Sequence, residues 1–111
     1  MKTYRQGDVL LIATQDLDES GLTEVPREDG LIVLAHGEAT GHRHAIDPCA
    51  AGEVPVAVLF QRADQVDRVL RARLPVRLYH DEHADVELPA GDYVVRRQRE
   101  YSPAGLRQVV D

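Results

Sequence analysis

The sequence predicts an all-β fold, a small single-domain barrel or sandwich of about six to eight strands. Short apolar runs rich in branched residues recur along the chain, as at Val9–Ala13 and Leu31–Ala35. Turn signals built on glycine, proline and aspartate separate these runs. A chain of 111 residues suffices for one domain with a hydrophobic core but not for two. We therefore expect residues 1–111 to form a single β domain.

The composition is typical of a globular protein in a reducing compartment. Hydrophobic residues make up 43% of the chain and charged residues 29%, which is not the composition of a disordered protein. The first residues lack the apolar segment of a secretory signal, and no run reaches the length of a membrane span. The single cysteine, Cys49, cannot form an internal disulfide. These features predict a cytoplasmic protein with no membrane partner.

The charge distribution argues against nucleic acid as a partner. The net charge is −6 at pH 7, and neither half of the chain has more basic than acidic residues. A groove that follows a phosphate backbone needs a net basic surface. Arg96, Arg97 and Arg99 do form a local basic cluster, but a solvated strand face is the more common explanation of such a cluster.

The first half of the chain alternates apolar strands with polar turns. Gly7-Asp8 is a turn signal before Val9–Ala13, whose continuous apolar run is typical of a strand covered on both faces. An acidic loop then leads to a second apolar strand, Leu31–Ala35. Val54–Phe60 is the third apolar segment, and Pro55 places its start at an edge or a bulge.

The stretch that follows fits two secondary structures. Val66, Val69 and Leu70 have helical spacing, whereas Val66, Leu70 and Ala72 fit the alternation of a strand. We favour a strand over Val66–Arg71 because the surrounding pattern is all β. A short helix is the alternative.

Alternation over residues 74–88 predicts a β-hairpin. With a three-residue loop, six apolar residues share one face, and Val76 pairs with Val86. The same register sets Arg77 opposite Asp85, a favourable cross-strand pair. A two-residue loop would place apolar residues against carboxylates, so the buried face selects the longer loop.

A second hairpin is expected at the end of the chain, from strand Tyr93–Glu100 to strand Leu106–Val110. Inward-facing positions of all the predicted strands define the expected core. Its members are Val9, Leu11, Ile32, Leu34, Val56, Val58, Phe60, Leu74, Val76, Leu78, Val86, Leu88 and Val94.

The glycine- and histidine-rich stretch Gly37–Ile46 carries the strongest chemical signal. In an extended chain His42 and His44 point to the same face, where two imidazoles can converge on one metal ion. His80 and His83 supply a second pair. These four histidines are our candidate ligands for a divalent transition metal, either zinc, iron or nickel. The alternative is that they are ordinary surface or hydrogen-bonded histidines.

The spacing G-x4-H-x-H from Gly37 to His44, followed downstream by LPAG at 88–91, resembles the metal-binding signature of the cupin superfamily. That resemblance implies a small β-barrel with a metal ion held inside. The chain also resembles a group of short bacterial proteins that share RQGDVLL near the start, GHxH in the middle and LPAGxYxVxRQREYSP near the end.

Two classes of function remain open after these observations. The first is a metal-binding, cupin-like protein that takes a small-molecule ligand, with enzymatic activity undecided. The second is a non-catalytic protein-interaction or assembly module that uses the C-terminal Arg/Tyr-rich hairpin. Arg97, Arg99 and Tyr101 are then the candidate binding residues for a protein partner or for a second copy in a homodimer.

Overall fold

Two antiparallel β-sheets form the framework of the protein. The computed structural model describes residues 2–37 and 41–98, together with the backbone of two short strands at 100–102 and 105–107. Within these residues the chain is all-β, which confirms the predicted fold class. Ten strands lie in the two sheets, more than the expected number, because several strands are only three or four residues long. No helix in the described part of the chain is long and apolar enough to span a membrane.

Strands of the larger sheet and of the smaller sheet are interspersed along the chain without a regular order. In chain order they are β1 (Thr3–Gln6), β2 (Val9–Thr14), β3 (Leu22–Glu24), β4 (Ile32–His36), β5 (Arg43–Ile46), β6 (Ala57–Arg62), β7 (Arg68–Ala72), β8 (Val76–Tyr79), β9 (Val86–Leu88), β10 (Gly91–Arg97), β11 (Glu100–Ser102) and β12 (Gly105–Arg107). The larger sheet has the order β1-β2-β10-β7-β6-β3, and the smaller has the order β4-β5-β8-β9. β11 and β12 form a two-stranded sheet of their own.

Side chains from both sheets pack into one hydrophobic core. Leu11 and Leu70 come from the larger sheet, Ile46 and Leu78 come from the smaller one, and none of the four is exposed to solvent. Burying a leucine or isoleucine side chain contributes about 1.5–3 kcal/mol, so this shared core holds the sheets together. The two sheets therefore face each other across a common interior.

The prediction of which residues face the core was wrong on strands β6 and β10. Val58, Phe60 and Val94 were expected in the core, but they are only half-buried, whereas Leu59 and Val95 are buried. Both faces of these strands carry apolar residues, so alternation alone does not say which face turns inward.

The segment that fitted both a helix and a strand is strand β7. It pairs with β6 on one side and with β10 on the other, so both of its edges are hydrogen-bonded. The predicted start was too early, since Val66 lies before the strand and is 95% exposed.

The hairpin of β8 and β9 has a different register from the one predicted. Arg77 lies opposite Glu87, not Asp85, so the prediction was wrong by two residues. A shift of two residues keeps the same side chains on the inner face, and the loop becomes longer. In the observed register Gln6 Nε2 donates to the carbonyls of both Leu78 and Ala84, at 3.0 and 2.9 Å, which are the two residues that the predicted register would have paired.

Tyr93 joins β10 to the turn that precedes it. Its side chain is almost fully buried, and its hydroxyl donates a hydrogen bond to the carbonyl of Pro89 at 2.5 Å. The ring of Tyr4 contacts it edge-on, with a centroid distance of 5.8 Å. Burial raises the pKa of Tyr93, because the phenolate would lose its hydration.

This raised pKa predicts a loss of stability in alkaline solution. An unfolded tyrosine ionises at about pH 10, so the stabilising effect is complete below that pH and is lost as the pH rises through the folded pKa. The melting temperature should therefore fall above about pH 10, and Tyr93→Phe should reduce the slope. Tyr79→Phe, at an exposed position, is the control and should keep the slope. An equally steep alkaline fall in Tyr93→Phe would contradict the prediction.

Candidate functional site

The four histidines predicted as metal ligands lie together where β5 begins and β8 ends. Pairing of Ala45 with Tyr79 places the preceding residue of β5 beside the residue that follows β8. The ring centroid of His80 lies 4.3 Å from that of His44, 4.6 Å from that of His83 and 5.6 Å from that of His42. His80 is therefore the centre of a histidine cluster drawn from two distant parts of the sequence.

The histidine cluster extends from the interior to the surface. His44 is fully buried and His80 is 7% exposed. The side chain of His42 is 28% exposed and marks the outer end. His83 is half-buried, and its ring stacks on that of His44 at a centroid distance of 6.1 Å. The inner rings are shielded from water, while the outer end is open to a ligand.

Gln6 determines which nitrogen of His44 carries the hydrogen. Its Nε2 donates to the carbonyls of Leu78 and Ala84 at 3.0 and 2.9 Å, so the orientation of the amide is defined. Its Oε1 is only an acceptor and lies 2.9 Å from His44 Nδ1. Nδ1 must therefore donate, and in the neutral ring Nε2 holds the lone pair. Metal-ligating histidines are usually oriented in this way, by an oxygen acceptor at the other nitrogen.

A buried carboxylate faces the second nitrogen of His44. Asp8 is 0% exposed, and its Oδ1 lies 3.5 Å from His44 Nε2. Its Oδ2 accepts a hydrogen bond of 2.6 Å from Arg97 Nε. The turn between β1 and β2 makes this possible, because Gly7 has a positive φ of 58° and lets the chain reverse between Gln6 and Asp8. Neither Gln6 nor Asp8 was among the residues predicted from the sequence.

His80 is held by the backbone of its own loop. The N–H of Glu82 donates to His80 Nδ1 at 3.0 Å, so the neutral ring carries its hydrogen on Nε2. Over residues 2–37 and 41–98, no three histidine, cysteine, aspartate or glutamate side chains are arranged to hold a metal ion. The rings are thus close together without a shared point for their donor atoms, and His80 would have to change tautomer to bind through Nε2 or turn over to bind through Nδ1.

Two exposed carboxylates surround the outer end of the cluster. Glu82 Oε1 lies 2.7 Å from His42 Nδ1, and Asp81 Oδ2 lies 3.7 Å from His42 Nε2. Negative charge at the mouth of a site attracts cations and raises their local concentration.

The predicted binding residues of the C-terminal strands are described only in part. Arg97 is only 25% exposed, and its Nε is bound to Asp8 beneath the histidine cluster. Arg99 and the side chain of Tyr101 lie outside the described residues. The expected second hairpin is present as β11 paired with β12, in a shorter form than predicted.

No curated protein and no solved structure matches this chain. The family described as "Domain of unknown function (DUF8820)" matches residues 5–98, which is most of the chain. The matched range includes Gln6, Asp8 and all residues of the histidine cluster. The chain therefore belongs to the DUF8820 family.

Proposed function

We propose that this protein binds one divalent transition-metal ion, either zinc, iron or nickel, at the histidine cluster. The convergence of four histidines from two sequence segments carries the proposal. Four imidazoles bound to one ion at about 2.1 Å would have their ring centroids roughly 5 Å apart. The four ring pairs of the cluster that contact each other have centroid separations of 4.3 to 6.1 Å, which bracket that value.

The donor chemistry of the cluster also supports metal binding. Imidazole suits zinc, iron and nickel alike. His44 already presents the lone pair of Nε2, because Gln6 accepts from its other nitrogen. His83 Nε2 is buried and has no hydrogen-bond partner within the described chain. His80 would have to turn or change tautomer, at the cost of its hydrogen bond from the Glu82 backbone, worth about 1 kcal/mol.

A groove beside the cluster gives room for a small organic ligand. It has a volume of about 580 Å³ and is lined by Arg43, Tyr79 and Asp81, and His80 is the one cluster histidine that lines it. An ion bound at the cluster would act as a Lewis acid, which is the chemistry of a cupin-like enzyme on a small substrate. Arg43 offers a cation for an anionic group of the ligand. We place this activity in a reducing cytoplasm, because the only cysteine has no partner for a disulfide.

Metal content is the direct test of the proposal. Protein purified without a histidine tag should carry about one zinc, iron or nickel ion per chain by elemental analysis. His42→Ala should abolish retention of the ion. His36→Ala is the matched control, because His36 lies outside the cluster, is 57% exposed and contacts Glu28 at 3.1 Å. It should leave the metal content unchanged.

Metal retention should also depend on pH. A ligand histidine must be neutral, so protons compete with the ion and retention should weaken steeply below about pH 6. An ion that binds only the folded chain should raise the melting temperature by mass action. Protein that contains no metal, and whose melting temperature changes with neither zinc nor a chelator, would contradict the proposal.

The interaction module is the second candidate function. It is favoured by the β11–β12 hairpin, which forms a sheet separate from the two main ones and so offers a surface for a protein partner or a second copy. A measurement of molecular size on the wild-type protein and on a variant truncated after Gln98 tests this second function. A dimer that becomes a monomer after the truncation would support the module.

A further inference from the structure

We infer that the carboxylate of Asp8 is a metal ligand at the histidine cluster, beside His44. The inference rests on the proposed function and adds an oxygen donor from the β1–β2 turn. Asp8 is far in sequence from the histidines and belongs to no metal-binding motif in the sequence. Its distance to His44, its burial and its bond to Arg97 all fit the role of a ligand.

The distance between the two donor atoms fits a shared ion better than a hydrogen bond. Asp8 Oδ1 and His44 Nε2 are 3.5 Å apart. Nitrogen–oxygen hydrogen bonds are usually about 2.7–3.2 Å long. With four histidines the ion would be five-coordinate, and adjacent donors at about 2.1 Å then lie roughly 3.0–3.6 Å from each other.

The two facing atoms are both electron-rich when the ring is neutral. Gln6 places the hydrogen of His44 on Nδ1, so Nε2 directs its lone pair toward the carboxylate. Asp8 Oδ1 is buried and accepts no hydrogen bond from any described residue. Two lone pairs that face each other away from water repel strongly. A cation between the two atoms removes this repulsion, and the candidates are a proton on His44 or a metal ion.

Arg97 holds the carboxylate in the orientation that such a ligand requires. Its Nε donates to Asp8 Oδ2 at 2.6 Å, which turns Oδ1 toward His44. Arg97 is therefore a positioning residue for the site. A carboxylate among imidazoles also narrows the choice of ion, because oxygen donors favour iron(II), zinc or nickel over the softer copper(I).

The variant Asp8→Asn tests whether Asp8 binds the metal ion or has only a structural role. Its side-chain oxygen can still accept from Arg97, and its amide can donate to His44 Nε2, so the metal-free fold is preserved. Zinc affinity, measured by competition with a chromophoric chelator, should fall by about 100-fold. The melting temperature without metal should stay close to that of the wild type. Asp92→Asn is the matched control, because Asp92 accepts from Arg71 Nε at 2.8 Å at the opposite end of β10 from Arg97, and it should change zinc affinity less than about threefold.

The outcomes distinguish this inference from the proposed function. Equal zinc affinity in Asp8→Asn and wild type would overturn the role of Asp8 and leave the histidine site intact. Wild-type protein that binds no zinc would overturn both. If Asp8→Asn does not fold, zinc titrated into ¹³C-labelled wild type decides the question by NMR. The side-chain carboxyl resonance of Asp8 should then shift with the first equivalent of zinc. An unmoved Asp8 resonance, together with shifted histidine ring resonances, would overturn the inference.

Discussion

Replacing Gln6 with leucine should lower the free energy of unfolding by about 3–5 kcal/mol. The side chain is 2% exposed and makes three hydrogen bonds, to the carbonyls of Leu78 and Ala84 and to the ring of His44. Leucine has a similar volume but removes these three hydrogen bonds, at a cost of about 1–1.5 kcal/mol each. Urea unfolding measures the loss. Gln65→Leu, at an exposed position, is the control and should change stability by less than about 0.5 kcal/mol.

The same substitution should weaken metal binding. Residues that orient a ligand histidine typically affect metal affinity by about 10–100-fold. Gln6→Leu removes the acceptor that fixes the tautomer of His44, so zinc affinity should fall within that range. A variant with wild-type stability and wild-type zinc affinity would show that Gln6 is not the residue that orients His44.

Replacing Leu78 with alanine should destabilise the protein by about 2–5 kcal/mol. Leu78 is fully buried between the two sheets, and its backbone carbonyl is held by Gln6, so the cavity left by the side chain cannot close easily. Leu74→Ala is a matched control, because Leu74 is 48% exposed although the sequence pattern places it in the core. Its loss should stay below about 0.5 kcal/mol.

Similar losses for the two leucine variants would contradict the structure. They would show that Leu74 is packed in solution and that the hairpin has the register predicted from the sequence. A large loss for Leu78→Ala alone supports the observed pairing of Leu78 with Val86. The two variants are compared by the denaturant concentration at their unfolding midpoints, provided that their m-values are equal.

The fold class and the location of the histidines could be predicted because both depend on local patterns. Short apolar runs between turn residues indicate strands regardless of how the strands pair. The spacing of His42 and His44 places both rings on one face of an extended chain for the same local reason. Neither prediction depends on a contact between segments that are distant in the sequence.

Register and sheet face could not be predicted, because they depend on contacts between strands far apart in sequence. Val58 and Leu59 are both apolar, and only packing against the opposite sheet decides that Leu59 is the buried one. In the β8–β9 hairpin, the carbonyls of Leu78 and Ala84 accept hydrogen bonds from Gln6, which lies more than seventy residues away in the sequence. A cross-strand pair such as Arg77 with Asp85 is too weak to outweigh this contact.

Local sequence patterns are sufficient to predict an all-β chain with two pairs of histidines as candidate metal ligands. That the two pairs meet around His80, with Gln6 and Asp8 beside them, follows from the packing of distant segments. The sequence does not indicate this, because polar residues beside a turn are normally solvated and RQGD therefore predicts an exposed loop. The β1–β2 turn instead places Asp8 beside His44, where burial of the carboxylate is compensated by its ion pair with Arg97.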